Sequence, residues 1–161
     1  MEDKITRFLR ESNAIEDVWD EESLKDALKA WNYVSKLKKL SCEAILKTHK
    51  ILMEHQPILD KEKGIFRRVP VWIGGREGKP WYAVPELMAQ LCENSKDHTD
   101  WEDIKQDHIM FEKIHPFVDG NGRSGRIFMN WQRQHAGLEI LIVEEAKKWD
   151  YYKWFDPSMH P

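Results

Sequence analysis

His115-Pro116-Phe117-Val118-Asp119-Gly120-Asn121-Gly122-Arg123-Ser124-Gly125-Arg126 is the stretch from which the rest of the chain is read. Each of its residue types suits one part of a nucleotide reaction. His115 is a candidate proton acceptor, because an imidazole is mostly neutral at pH 7. Asp119 is a hard oxygen ligand, suited to a Mg²⁺ ion that also holds phosphate oxygens. Gly120 and Gly122 permit turns closed to other residues and bring bare N–H groups close to an anion. Arg123 and Arg126 are three apart. With a helix starting near Gly122 they share a face at its positive end, where phosphates bind.

The run Gly120-Asn121-Gly122-Arg123-Ser124-Gly125 also satisfies G-x-G-x-x-G, and Glu144 follows the apolar run Leu138–Val143 some twenty residues later. A dinucleotide-binding fold needs a buried strand directly before the first glycine. What precedes is Trp101 to Ile114, with Ile104, His108, Phe111 and Ile114 at helical spacing, so the Rossmann alternative is disfavoured.

The stretch resembles the signature of the Fic family, His-Pro-Phe-x-Asp/Glu-Gly-Asn-Gly-Arg-x-x-Arg, at every fixed position and without a gap. The resemblance implies a mainly α fold, a bundle of about six to eight helices with a short β-hairpin flap. It implies transfer of AMP from ATP, with Mg²⁺, to a Tyr, Ser or Thr hydroxyl of a target protein, or of the protein itself. In that reading His115 is the base, Asp119 holds the metal, and Gly120, Asn121, Gly122, Arg123 and Arg126 bind phosphates.

Upstream, Ser12-Asn13-Ala14-Ile15-Glu16-Asp17 reads in elementary terms as a helix start, with Ser12 as N-cap and acidic residues in the early turns. It also resembles the inhibitory motif Ser/Thr-x-x-x-Glu-Gly/Asn of many Fic proteins. Ser12 and Glu16 match; Asp17 departs, since aspartate enters the left-handed conformation less readily than glycine. The resemblance implies an inhibitory helix over residues 12–20, in which Glu16 pairs with Arg126 and keeps it from the γ-phosphate. In some members the same glutamate orients water to remove AMP. Removal of AMP, and a nucleotide-binding module that holds its target without reacting, are the alternatives to transfer.

The remaining chain reads as helix around one interruption. Leu24, Ala27, Leu28, Trp31, Val34 and Leu37 predict a helix over 22–38, with the basic residues Lys36, Lys38 and Lys39 near its end complementing the negative terminus. Ser41 starts a third helix, in which His49 lacks a partner at metal-ligand spacing. From Ile65 to Ile73 β-branched and aromatic residues predict a strand limited to an edge by Pro70, with a return over Trp81–Val84. By position this hairpin, within 64–84, resembles the Fic flap, whose Val71, Trp72, Ile73 and Gly74 would align the target by backbone pairing. Pro85 opens a fourth helix and Asp100 caps a fifth, ending at Ile114 because Pro116 disfavours helical geometry at His115. Arg123–His135 is the next helix, with Ile127, Trp131 and Gln134 on one side, and Glu144–Phe155 the last.

At 161 residues a single domain over 1–161 is expected, able to bury about 70% of its unfolded surface. A net charge of −3 offers no basic footprint for nucleic acid. No apolar run reaches membrane length, Met-Glu-Asp-Lys opens without a signal segment, and Cys42 and Cys92 are expected to be reduced thiols. These features point to a cytoplasmic location without membrane partners; a homo-oligomer stays open.

Overall fold

The computed structural model describes residues 1–161 as seven α-helices and a two-stranded hairpin. The helices begin where their sequences supply a cap. Asp3 opens α1 (Lys4–Ile15), accepting the Thr6 N–H; Asp20 opens α2 (Glu21–Val34), accepting that of Ser23; Ser41 opens α3 (Cys42–Leu52), accepting that of Ala44. Pro85 stands in the first turn of α4 (Val84–Ser95), where a missing N–H is harmless. Asp100 caps α5 (Trp101–Ile114) as expected. Helix α6 (Asn121–His135) ends before Gly137, whose φ of 79° no helix continues, and α7 is the short Lys148–Tyr152.

Helix α6 is the axis of the molecule. From Asn121 to Trp131 every residue but Gly122 is buried. It packs along α5 and meets α1 and α3, while α2 lies along α3 and α4 along α5. The core joins these helices through Phe8, Trp31, Met53, Phe111, Phe117 and Phe128, with edge-to-face pairs Phe8–Trp31 and Phe111–Phe128. No helix is long and apolar enough to cross a membrane.

Several boundaries differ from expectation. Ser12 is not an N-cap: it lies in the last turn of α1, and the chain turns at Glu16. Residues 12–20 are therefore a helix end and a turn, because the stronger start lies upstream at Asp3. Asp17 takes φ 58° despite its side chain, and its carboxylate accepts the Trp19 Nε1–H at 2.7 Å. Helix α2 stops at Val34, leaving Lys36, Lys38 and Lys39 beyond it.

The hairpin is much shorter than the apolar pattern suggested. Its strands are β1 (Trp72–Ile73) and β2 (Arg76–Glu77), with Trp72 opposite Glu77 and Ile73 opposite Arg76. Gly74 and Gly75, at φ 55° and 83°, form the two-residue turn, a geometry that needs positive φ at both positions. One more rung joins the Gly78 N–H to the Val71 carbonyl at 2.8 Å. Pro80 then lacks the N–H to extend the ladder, and Trp81–Ala83 coil into a 3₁₀ turn instead of returning as a strand. Gln134 faces solvent, and the Glu144–Phe155 segment forms only a 3₁₀ turn and α7.

Candidate active site

The site is built at the junction of α5 and α6. His115 ends α5 in the left-handed region, φ 52° and ψ 64°, with its N–H still bonded to the Phe111 carbonyl. Pro116 explains the ending, and the left-handed turn swings the imidazole out of the helix line. Its Nδ1 lies 3.1 Å from the Glu112 carbonyl. A carbonyl only accepts, so Nδ1 carries the hydrogen and Nε2 keeps its lone pair. Burial lowers the affinity of this imidazole for a proton, the Glu112 carbonyl opposes that, and nearby Arg67 adds to it.

Arg67 braces this turn. Its buried guanidinium donates to four carbonyls: His115 at 2.6 Å, Ile114 at 3.1 Å, Val69 at 2.9 Å and Lys79 at 2.5 Å. The Arg67 N–H adds a bond to Pro116 at 2.9 Å. Both legs of the hairpin segment are thereby tied to the end of α5.

The loop from Phe117 to Gly120 is held from within. Asn121 Oδ1 accepts the Phe117 N–H and Nδ2 donates to the Phe117 carbonyl, both at 2.8 Å. Its amide, expected to meet phosphate oxygens, is spent in this structure on the turned backbone of Phe117, which would otherwise be buried without partners. His49 stacks on Phe117 with ring centroids 3.7 Å apart. His49 Nδ1 accepts the Gly64 N–H, so Nε2 is the donor to the Asp119 carbonyl at 2.9 Å. Burial pushes the pKa of His49 down to about 4, keeping it neutral. Gly120, at φ 83°, precedes α6 and leaves room for Met53, whose sulfur a Cβ would strike.

These contacts leave a cleft of about 90 Å³ over the start of α6, lined by Glu16 with His115, Asp119, Gly120, Gly122 and Arg123. The Asp119 side chain is half exposed there; Oδ1 accepts the Gly120 N–H at 2.8 Å and Oδ2 stands 3.6 Å from Arg123 Nη2. No cluster of three candidate metal ligands occurs. Asp119 thus offers one hard oxygen donor, which fits an ion such as Mg²⁺ that draws its other ligands from water and substrate phosphates. Arg123, expected to reach a terminal phosphate, is buried with Nη1 on Gln56 at 2.8 Å, and Gln56 continues to Ser23 at the start of α2.

Arg126 is surrounded. Its Nε donates to Ser12 Oγ at 2.7 Å, Nη2 to the Ser12 carbonyl at 3.0 Å and to Glu16 Oε1 at 2.7 Å, and Nη1 to the Tyr151 hydroxyl at 3.3 Å. Burial opposes its charge, but Tyr151 and Glu16 outweigh that and keep it firmly protonated. Glu16 Oε1 rests on Gly122: a Cβ there would collide with it and lie 2.9 Å from Arg126 Nη1. A carboxylate thus occupies the anion-binding start of α6. In the hairpin Trp72 is 68% exposed, Gly74 is exposed, and Val71 and Ile73 are half-buried. Sequence reasoning missed Gln56, Arg67 and Tyr151. Only Arg67 left a signal, as a charge inside an apolar run.

The Fic/DOC family model matches residues 39–132. "Protein adenylyltransferase Fic" of Nematostella vectensis is 26% identical over 151 residues, covering 85% of this chain and 33% of the relative. Its namesake in Drosophila grimshawi is 32% identical over 120 residues, covering 70% and 24%. The chain therefore spans about a quarter to a third of these relatives. Among solved structures, Fic-1 from C. elegans superposes with a TM-score of 0.79 at 18% identity, over 96% of this chain and 55% of that one. A Fic domain containing signaling protein from Bacteroides thetaiotaomicron gives 0.77 at 18%, over 92% and 69%. At such identities these two structures establish the fold alone.

Proposed function

The chain belongs to the Fic/DOC family, and on that premise we propose that it transfers AMP from ATP to a hydroxyl of a target protein and is restrained by its own Glu16. The supporting observation is the cleft itself, where an imidazole with a free Nε2 faces a helix start already holding an internal carboxylate. The relatives' name, protein adenylyltransferase, supports the same reaction.

In this mechanism the target's Tyr, Ser or Thr hydroxyl attacks the α-phosphorus of ATP. Its proton passes to His115 Nε2, a new P–O bond forms to the target, the bond to pyrophosphate breaks, and pyrophosphate leaves. General-base help of this kind is typically worth about 10²–10⁴ in rate. The N–H groups at the start of α6, with Arg123 and Arg126, balance phosphate charge. Asp119 is the residue that would hold Mg²⁺, and the ion when bound supplies further neutralisation of phosphate oxygens. The hairpin, with Trp72 outermost, presents the target segment to His115. Residues 1–161 act together as one catalytic unit, with the end of α1 as its brake. Because Glu16 is tethered, its effective concentration is of order millimolar, comparable with a soluble nucleotide.

A second reading, removal of AMP, is favoured by one detail: Glu16 Oε1 is bonded to Arg126 while the carboxylate stays 37% exposed in the cleft, available to orient water. The test uses ATP labelled in parallel at the α- or γ-phosphate, with Mg²⁺, on wild type, Glu16→Gly and His115→Ala, with and without cell lysate. The expected result is α-label on protein, stronger in Glu16→Gly and lost in His115→Ala. Label from the γ-position alone would overturn the reading in favour of phosphorylation. Loss of pre-attached label in wild type but not in Glu16→Gly would support removal.

A further inference from the structure

Glu112 is an acidic side chain at this site with no assigned part, 13% exposed. It sits on α5 one turn before His115. Its Oε1 is sealed from solvent and has no hydrogen-bond partner. Its Oε2 stands 4.0 Å from His115 Nδ1, the nitrogen opposite the one that would take the acceptor's proton. The carboxyl fits because Gly125 has no side chain: a Cβ there would collide with Oε1 and crowd Phe111 Cδ1 at 2.9 Å and His108 Cε1 at 3.1 Å. Gly125 carries no part in phosphate binding, and this contact accounts for it. The groups around Glu112 are His115 and His108 on its own helix line, Arg126 on α6, Glu16 at the end of α1, and Tyr151 on α7, whose hydroxyl bonds both His108 and Arg126.

We propose that Glu112 is a positioning residue for His115, its carboxyl group deciding from behind whether the imidazole is neutral. An unpartnered carboxylate in this wall would be costly, so the group holds a proton. Burial raises its pKa to about 8, Arg126 opposing and Glu16 adding to the rise. At neutral pH the acid is uncharged and leaves the imidazole free to act as a base. Above that range the carboxylate forms, and a negative charge 4.0 Å from Nδ1 binds His115 more tightly to any proton it takes. Departure of Glu16 removes one of the charges that keep the acid protonated, so release of the brake also strengthens the base.

The inference rests on His115 being the base, and its test separates the two. Histidine-selective NMR would follow the His115 ring, assigned by comparison with His115→Ala, from pH 5 to 9.5. The expected curve has two steps, the protonation of His115 itself and a smaller one near pH 8 reporting Glu112. Glu112→Gln should remove the upper step, and Glu16→Gly should move it to lower pH while wild type serves as reference. A wild-type ring that does not respond between pH 7 and 9, or an upper step that persists in Glu112→Gln, would overturn the proposal, and neither result needs activity. With AMP transfer in hand, the kcat profile of Glu16→Gly should break at the same pH as its NMR step recorded with a non-reactive ATP analogue bound, since kcat reports the substrate-bound enzyme, and the break should vanish in Glu16→Gly with Glu112→Gln. A KM for ATP that moves instead of the kcat profile would mean a merely structural role.

Discussion

The strength of the proposed brake follows from the Glu16–Arg126 pair. Its bond is 2.7 Å long, between a guanidinium 2% exposed and a carboxylate 37% exposed. Hydrogen bonds to charged groups contribute about 1.5–3 kcal/mol net, and exposure of the carboxylate to solvent places this one near the lower end. About 1.5 kcal/mol corresponds to roughly tenfold in an equilibrium, so about one molecule in ten would have Arg126 free for a phosphate. Glu16→Gly should therefore raise AMP transfer at sub-saturating ATP by roughly tenfold, and Glu16→Gln, which keeps an acceptor without the charge, by less. The same change leaves a buried cation with fewer partners and should lower stability by about 1–2 kcal/mol. The assay is initial-rate incorporation of α-label against ATP concentration, with a urea titration on the same preparations. A folded Glu16→Gly protein that is as stable as wild type and transfers no faster, on a panel of targets that wild type does label, would refute the argument. A similar gain in Glu16→Gly with Arg126→Ala would refute it too, since the gain must pass through Arg126.

Gly122→Ala should also displace Glu16, because the new methyl would collide with Oε1, but it crowds Arg126 and the phosphate position as well. Transfer should then not exceed wild type, and a rise matching Glu16→Gly would show that Gly122 is not an anion contact. Arg67→Met strips four carbonyls of their donor and should cost about 3 kcal/mol or more in urea unfolding. Arg67→Lys should rescue little, since an ammonium cannot span the fork. Acid should destabilise the fold through His49. Its pKa of about 4 in the folded state lies below the ordinary imidazole value of 6.5, so the unfolded chain binds the proton first. Stability is complete above pH 6.5, falls as pH drops towards 4, and loses about 3 kcal/mol over that window. His108, pushed down to about 3 by burial, adds to the slope. Urea midpoints between pH 7.5 and 4 measure it, and a flat profile would contradict the buried neutral assignment.

The signature stretch was legible because its chemistry is local. Pro116 announces the end of α5, the glycines announce the turn, and the helical spacing before and after announces α5 and α6. The hairpin was overread because β-branched and aromatic residues from Ile65 to Ile73 report a half-buried surface and not pairing. Phe66 packs on the core and Arg67 binds the α5 end, so most of that run is a brace. The Ser12 motif was legible as residues and not as geometry. Asp3 is the stronger cap, which moves Ser12 from the start of a helix to its last turn and brings Glu16 to its end. Asn121 and Arg123 show a further limit. Both have ligand chemistry, and whether an amide or a guanidinium faces a ligand or its own backbone depends on neighbours such as Phe117 and Gln56, far apart in sequence or pointing inward by the turn.

How the proposed brake would release without disturbing the site follows from the other bonds of Arg126. When Glu16 leaves, Nε still has Ser12 Oγ, Nη2 still has the Ser12 carbonyl, and Nη1 still has Tyr151. The guanidinium therefore stays where it is and only its counter-charge departs. The vacated place lies over Gly122 at the start of α6, the point where, in the proposed reaction, an incoming phosphate oxygen would gain the same helix end and the same cation. The proposed inhibition would work by occupancy and charge, and needs no rearrangement of α6. It also fixes what must move: Glu16 caps the end of α1, and the turn after it is held by Asp17 in the left-handed region with its carboxylate on Trp19. Release by a rotation of the Glu16 side chain leaves that turn intact, whereas unwinding of α1 would also break both Ser12 contacts and loosen Arg126 itself. Only the first path keeps the phosphate site assembled while it opens, so the stability of the turn and the ease of the rotation can be varied separately.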